Sequence, residues 1–165
     1  MKAITIHQPW ATLIMDGRKT EETRSFCPIP RVPFTIAIHA GKYRTDYGNL
    51  PAEIQAVFSA DDIDALPYGA ILGTARIHAL SKVHRYSPDG QSIICHRTST
   101  NYHVDPQFDT VTLAIPPFGD ATPGRYLWHL DTLKPVEPPI PCRGYQGIWN
   151  LKRYLSERIL ACQKN

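Results

Sequence analysis

Short apolar runs, each closed by a polar or proline-bearing segment, set the rhythm of this chain. "KAITIH" (Lys2–His7) is apolar and β-branched and predicts a first strand. In "QPWATLIMDG", Trp10, Leu13 and Ile14 share one face at helical spacing. Pro9 suits the first helical position and Gly17 a left-handed stop, so a short helix is predicted from about Pro9 to Asp16. "KTEETRS" then reads as extended, and a proline-rich loop follows. "FTIAIHA" (Phe34–Ala40) is a near-continuous apolar run, the pattern of a strand buried on both faces. Pro51–Ala60 predicts an amphipathic helix with Ile54, Val57 and Phe58 inward, and Gly69–Val83 a long strand bent at Gly73. Arg125–Val136 and Gly144–Leu151 predict two further strands, with Trp128, Leu130 and Trp149 as core candidates. Leu151, Leu155 and Ile159 space a closing helix over Leu151–Gln163.

Residues 85–125 break this rhythm. They are polar and rich in Pro, Ser, Thr and Asp, and "TVTLAI" (Thr110–Ile115) inside them reads as a strand or a tethered loop. A connection of this length is usually functional or only partly ordered. No internal repeat or linker divides the chain. The expectation is one α+β domain over 1–165, with a polar insertion or long loop at about 85–125. Five to six strands and three short helices suit a small mixed barrel or curled sheet.

Composition narrows the class. With 165 residues, 42% hydrophobic and 20% charged, the chain can bury a core of ordinary globular type. Fifteen prolines against ten glycines disfavour a helix bundle. The net charge of +3 does not by itself demand a nucleic-acid partner, but permits one where basic residues cluster. No apolar run has transmembrane length and the N-terminus lacks a signal-peptide core, so the reading is no membrane partner and a cytoplasmic protein, nuclear if eukaryotic. Cys27, Cys95, Cys142 and Cys162 show no C-x-x-C pairing, and His96 and His103 lack a close third ligand. Neither a metal site nor a cofactor is implied.

The densest chemistry is "DGRKTEETR" (Asp16–Arg24), with three cations and three carboxylates in nine residues. In an extended segment Thr20, Glu22 and Arg24 share one face, and Lys19, Glu21 and Thr23 the other. Arg24 can then hold the Glu22 carboxylate as an acceptor for a base edge, and Lys19, beside the Gly17 turn, can reach a phosphate or carbonyl oxygen. Gly17 lets backbone approach a ligand closely. One carboxylate and two cations suit a nucleotide, which offers base donors and phosphate oxygens. The plain alternative is a solvated, salt-bridged turn. A second layer comes from "GKYRTDY", where Lys42 and Arg44 interleave with Tyr43 and Tyr47. Cations attract the backbone and aromatics stack on bases at roughly 1–3 kcal/mol each. Arg31 joins this basic set as a rim candidate. His39 and His78 sit within apolar strands and read as core or edge histidines rather than catalytic bases.

"ITIHQPWATLIMDGRKTEETRS" resembles the opening of the ASCH (activating signal cointegrator homology) family. The family motif G-x-K-x-x-E-x-R is matched by Gly17, Lys19, Glu22 and Arg24. "HQPWATLI" resembles the family's helix entrance, and "IHAGK", "GAILGTARI" and "GYQGIWNL" its later blocks, so the resemblance spans about residues 2–151. Residues 85–125 fit none of these blocks.

The resemblance implies a PUA-like β-barrel with a cleft lined by the motif residues. It implies RNA, single-stranded DNA or a modified nucleoside as partner. With Lys42, Tyr43 and Arg44 added from the loop reading above, the nucleic-acid-binding set is Gly17, Lys19, Glu22, Arg24, Lys42, Tyr43 and Arg44. Some relatives resemble hydrolases: one branch deacetylates N4-acetylcytidine, and ribonuclease activity is attributed to another. In that first branch a nucleophilic threonine follows the motif lysine three residues on, where this chain has Glu22. That branch also takes a carboxylate from a central strand, and "GAILGTARIHAL" has none. As an enzyme, this chain would instead use Glu22 as general base and Lys19 as electrophilic stabiliser through water. A third expectation is a protein-interaction module of the coactivator type.

Overall fold

The computed structural model describes residues 1–27, 32–97 and 110–163. Arg31 and His103 lie outside the described residues. In chain order the elements are β1 (Lys2–Ile6), α1 (Trp10–Met15), β2 (Glu21–Arg24), β3 (Phe34–Ala40), α2 (Ala52–Gln55), α3 (Ala60–Ala65), β4 (Ala70–Tyr86), β5 (Ser92–Arg97), β6 (Thr110–Ala114), β7 (Tyr126–Pro141), β8 (Ile148–Asn150) and α4 (Arg153–Cys162). The sheet is mixed. Its order is β2-β7-β4-β3-β1-β8, with β5 pairing β4 and β6 pairing β5. β1 and β3 are parallel, whereas β1/β8, β2/β7, β4/β5 and β5/β6 are antiparallel. The α+β class holds, with eight strands in place of five to six. Among the described residues the pairings run from β2 to β8 and do not close into a ring.

The described residues group into two compact units: residues 1–19, 35–75 and 132–165, and residues 20–34 and 76–131. In the first unit the apolar runs of β1, β3 and β4 bury Ala3, Ala37 and Ile71, and β7 adds Val136 and Ile140. Helix α4 closes this core with Leu155 and Ile159, four residues apart on one face, and leaves Tyr154 and Leu160 outside. Each fully buried Ile or Leu contributes about 1.5–3 kcal/mol. Helix α1 ends as its sequence predicts. Gly17 takes φ +74 and its amide donates to the Ile14 carbonyl at 2.9 Å. Its start differs from expectation, because Pro9 precedes the helix and the Gln8 amide oxygen accepts from Thr12 N–H at 3.1 Å. The helix expected at Pro51–Ala60 is the single turn α2. Ile54 and Phe58 point inward, Val57 is exposed, and a second helix follows. Ser59 and Asp62 bond reciprocally in a capping box that starts α3.

In the second unit the core is Val83, Ile93, Cys95, Ala121 and Leu127. Within residues 85–125, the described residues form β5 and β6, paired from Ser92↔Ala114 to His96↔Thr110. The alternation of "SIICHR" puts Ile93 and Cys95 inward. No helix among the described residues is long and apolar enough to cross a membrane.

Candidate functional site

The nine-residue charge cluster separates into two kinds of residue. Asp16 and Arg18 pair at 2.7 Å with both side chains well exposed, the behaviour of a solvated turn. Lys19 differs. Its amide donates to the Leu13 carbonyl at 2.9 Å as the chain leaves α1, and the residue is only 4% exposed. Burying an ammonium carries a large desolvation penalty, so a sequence serving only a surface turn gains nothing by it.

Within the second unit, β2 carries the rest of the motif. It pairs with β7 in the register Glu21↔His129, Glu22↔Trp128, Thr23↔Leu127 and Arg24↔Tyr126. The alternation of a strand puts Glu22 and Arg24 on one face, and Arg24 Nε stands 2.8 Å from Glu22 Oε1. Glu22 is 7% exposed. At this distance the two side chains form an ion pair, with the Glu22 carboxylate set beside the guanidinium. On the same face, the Trp128 indole packs edge-on against Phe26 and donates to its carbonyl at 3.4 Å. Thr23 Oγ1 accepts from the Asp120 amide at 3.1 Å. Hydrogen bonds from the Thr122 hydroxyl and amide hold the Asp120 carboxyl below its ordinary range.

On the other face of β2, Glu21 meets residues that the sequence does not single out. His129 Nδ1 lies 3.8 Å from Glu21 Oε1, and His129 Nε2 lies 2.9 Å from Ser81 Oγ. The Ser81 hydroxyl donates to Nε2 when the ring proton is on Nδ1 and accepts when it is on Nε2. His78, exposed on β4, lies with its ring 6.1 Å from that of His129. Ser81 and His129 are 48 residues apart, and only strand pairing joins them. No local signal in the sequence could have found this row.

Within the first unit, the loop after β3 carries Lys42, Tyr43 and Arg44, all exposed. Tyr43 is 67% exposed and meets the His7 ring edge-on at 5.8 Å. Arg44 is otherwise engaged. Its guanidinium lies 4.3 Å over the Tyr68 ring and reaches the Asp64 carbonyl at 3.2 Å and the Asp64 carboxylate at 3.5 Å. Tyr47 donates to the Phe58 carbonyl at 3.0 Å and so serves the loop rather than its surface. The stem of Lys42 lies against Gly69, whose amide donates to the Ala40 carbonyl at 2.9 Å.

Beside this loop lies buried His39. Its Nε2 faces the Cys142 carbonyl at 3.1 Å, an oxygen that can only accept, so Nε2 carries the proton. Burial pushes the imidazole below its ordinary value. The Lys42 charge lowers it further, and the bond to Cys142 partly opposes both. The Trp149 ring meets His39 edge-on at 5.7 Å, and its indole N–H donates to Thr5 Oγ1 at 3.2 Å. Tyr145 packs on Trp149 at 5.3 Å, with the Arg143 guanidinium 5.4 Å from the Tyr145 ring. "CRGYQGIW" interleaves a cation with aromatics much as "GKYRTDY" does, and that signal was present in the sequence.

No protein-family model matches the sequence, and no curated protein does. Solved structures resemble the fold along nearly its whole length. The ASCH structure from Zymomonas mobilis superposes with a TM-score of 0.53 at 14% identity, over 97% of this chain and 93% of that one. A serine-to-alanine variant of the same Zymomonas mobilis protein gives 0.50 at 13% identity, over 97% and 94%.

Proposed function

We propose that this chain, which has the ASCH-domain fold, binds RNA, single-stranded DNA or a modified nucleoside through Lys19, Glu22 and Arg24, as a single PUA-like domain. The observation that carries this reading is the burial of the motif charges. Lys19 is 4% and Glu22 7% exposed, while Asp16 and Arg18 in the same cluster are solvated. Buried ionised groups persist where a ligand uses them or a structural network needs them. The family motif at these positions favours the ligand. Glu22, held by Arg24, accepts from a base edge, and Lys19 supplies positive charge for a phosphate or carbonyl oxygen. Titration with short RNA and DNA oligonucleotides and with nucleosides, at two salt concentrations, tests it. Lys19→Ala and Arg24→Ala each weaken binding; equal affinity in wild type and both variants overturns the reading.

A second reading is a metal-independent hydrolase on an acylated nucleoside or on RNA. One observation favours it: the Ser81, His129 and Glu21 row, with an imidazole at 2.9 Å from a hydroxyl and 3.8 Å from a carboxylate. An imidazole so oriented can serve as a general base. Incubation with N4-acetylcytidine and with labelled RNA decides it. Turnover lost in His129→Ala or Glu22→Ala establishes an enzyme, and no turnover in wild type leaves a binding protein.

A further inference from the structure

We propose that Tyr43, Tyr145 and Trp149, flanked by Lys42 and Arg143, form a base-stacking surface for single-stranded nucleic acid. The surface lies within the first unit and extends the nucleic-acid reading above, on which its ligand class rests.

Three observations carry it. First, the exposed aromatics are joined through a short run of contacts. Tyr43 meets His7, Gly41 lies against both His7 and Thr5, Thr5 accepts from Trp149, and Trp149 packs on Tyr145. Tyr43 is 67% and Tyr145 48% exposed, so a large ring is open to solvent at each end of this run. Second, one of the rings is backed by rigid structure. Trp149 packs on the unit's apolar core and against buried His39, so its position is set before any ligand arrives.

Third, the charge is complementary to a phosphate backbone. Arg18, Arg44 and Arg153 in this unit each face a carboxylate. Lys42 and Arg143 have no carboxylate partner among the described residues, which is true also of Lys2, Lys134, Lys152 and Arg158 in this unit; Arg143 lies 5.4 Å from the Tyr145 ring, and Lys42 precedes Tyr43 in its loop. Cations without a carboxylate partner, near exposed aromatic rings, match single strands, where bases stack and phosphates follow. A duplex hides its base faces, and a protein partner of apolar character would not call for two uncompensated cations.

The test is fluorescence anisotropy with short oligo(dT) and with the same backbone lacking bases. Tyr43→Ala and Tyr145→Ala each weaken oligo(dT) binding by about fivefold to about 150-fold and leave the salt dependence unchanged. The abasic backbone binds wild type and both variants alike. Arg143→Ala lowers the salt slope by about one. Tyr43→Phe and Tyr145→Phe keep the ring and retain binding, which separates lost stacking from lost folding. Tyr154→Ala, an exposed ring on α4, changes nothing. If both alanine variants bind oligo(dT) as wild type does while Lys19→Ala and Arg24→Ala weaken it, the surface fails and the motif reading stands. If the tyrosine variants lose binding and the motif variants do not, the surface stands and the motif reading fails. Absence of any salt-dependent oligonucleotide binding by wild type overturns the surface outright.

Discussion

Gly144 lies so close over His39 that a Cβ there would sit 2.5 Å from His39 Nδ1 and 2.7 Å from Thr5 Oγ1. The histidine, in turn, holds the Cys142 carbonyl two residues earlier in the same segment. The loop before β8 is therefore pinned at one point by a hydrogen bond and at the next by close packing. Gly144→Ala must push the loop or the ring aside, and overpacking of this kind costs about 1–3 kcal/mol. The variant's melting temperature will fall. A variant that melts with wild type would show that the segment yields without cost.

The same histidine gives the fold a pH dependence. Its folded-state pKa is depressed by burial, with the Lys42 charge adding to it. The folded protein therefore takes up a proton less readily than the unfolded chain. Above the ordinary value of 6.5 both states are neutral at this site and its contribution is complete. As pH falls below that value the unfolded chain gains the proton first, and stability declines. Urea denaturation between pH 7 and pH 5 will show this decline, and His39→Gln will flatten it. An equal slope in both proteins would assign the titration elsewhere.

The sequence made several strands legible, β3 through its dense apolar run. Phe34–Ala40 matches β3 end to end, and Glu21–Arg24 is extended as expected. It hid β5 and overextended α2. "SIICHR" sits among polar residues, and its pairing with β4 and β6 supplies the order that composition does not. "SADD" holds a capping box that reads as the tail of one helix rather than the start of another. Strand β7 continues through Pro135, Pro138 and Pro139, residues that normally argue against a strand. In the site, what was legible was local: Glu22 beside Arg24, Gly17 as a turn. The Ser81 and His129 pair and the His39 pocket arise from strand pairing across long separations, which no periodicity encodes.

Cys95 provides a test of the second unit's core. It is fully buried, and burial alone pushes its thiol up to about 11 from an ordinary 9.0. A thiol reagent at pH 8 will label Cys27, which is partly exposed, well before Cys95. Between pH 9 and pH 11 the unfolded chain loses this proton and the folded protein keeps it. Stability will therefore fall as pH rises through that window, by no more than about 3 kcal/mol from this group. Cys95→Ala removes that share of the slope. Rapid labelling of Cys95 in the native protein would contradict the packing of Val83, Ile93 and Leu127 around it.

Glu22 and Arg24 allow stability and function to be separated. Arg24→Ala leaves a carboxylate that is 7% exposed without the guanidinium at 2.8 Å, and removing one partner of a buried polar pair costs roughly 1–3 kcal/mol. Glu22→Gln is gentler, because it keeps the side-chain volume and a polar oxygen beside Arg24. Its stability change will be the smaller of the two, and the double variant will show coupling of about 0.5–3 kcal/mol. Binding should rank differently. If Glu22 accepts from a ligand's base edge as a carboxylate, the amide replaces one charged acceptor with a donor and an acceptor, and affinity will fall in both single variants. Calorimetric melts and ligand titrations on the four proteins of this cycle give both rankings. Affinity that tracks stability across all four would make the pair a structural clasp, whereas affinity lost in the stable Glu22→Gln protein would place the carboxylate at the ligand.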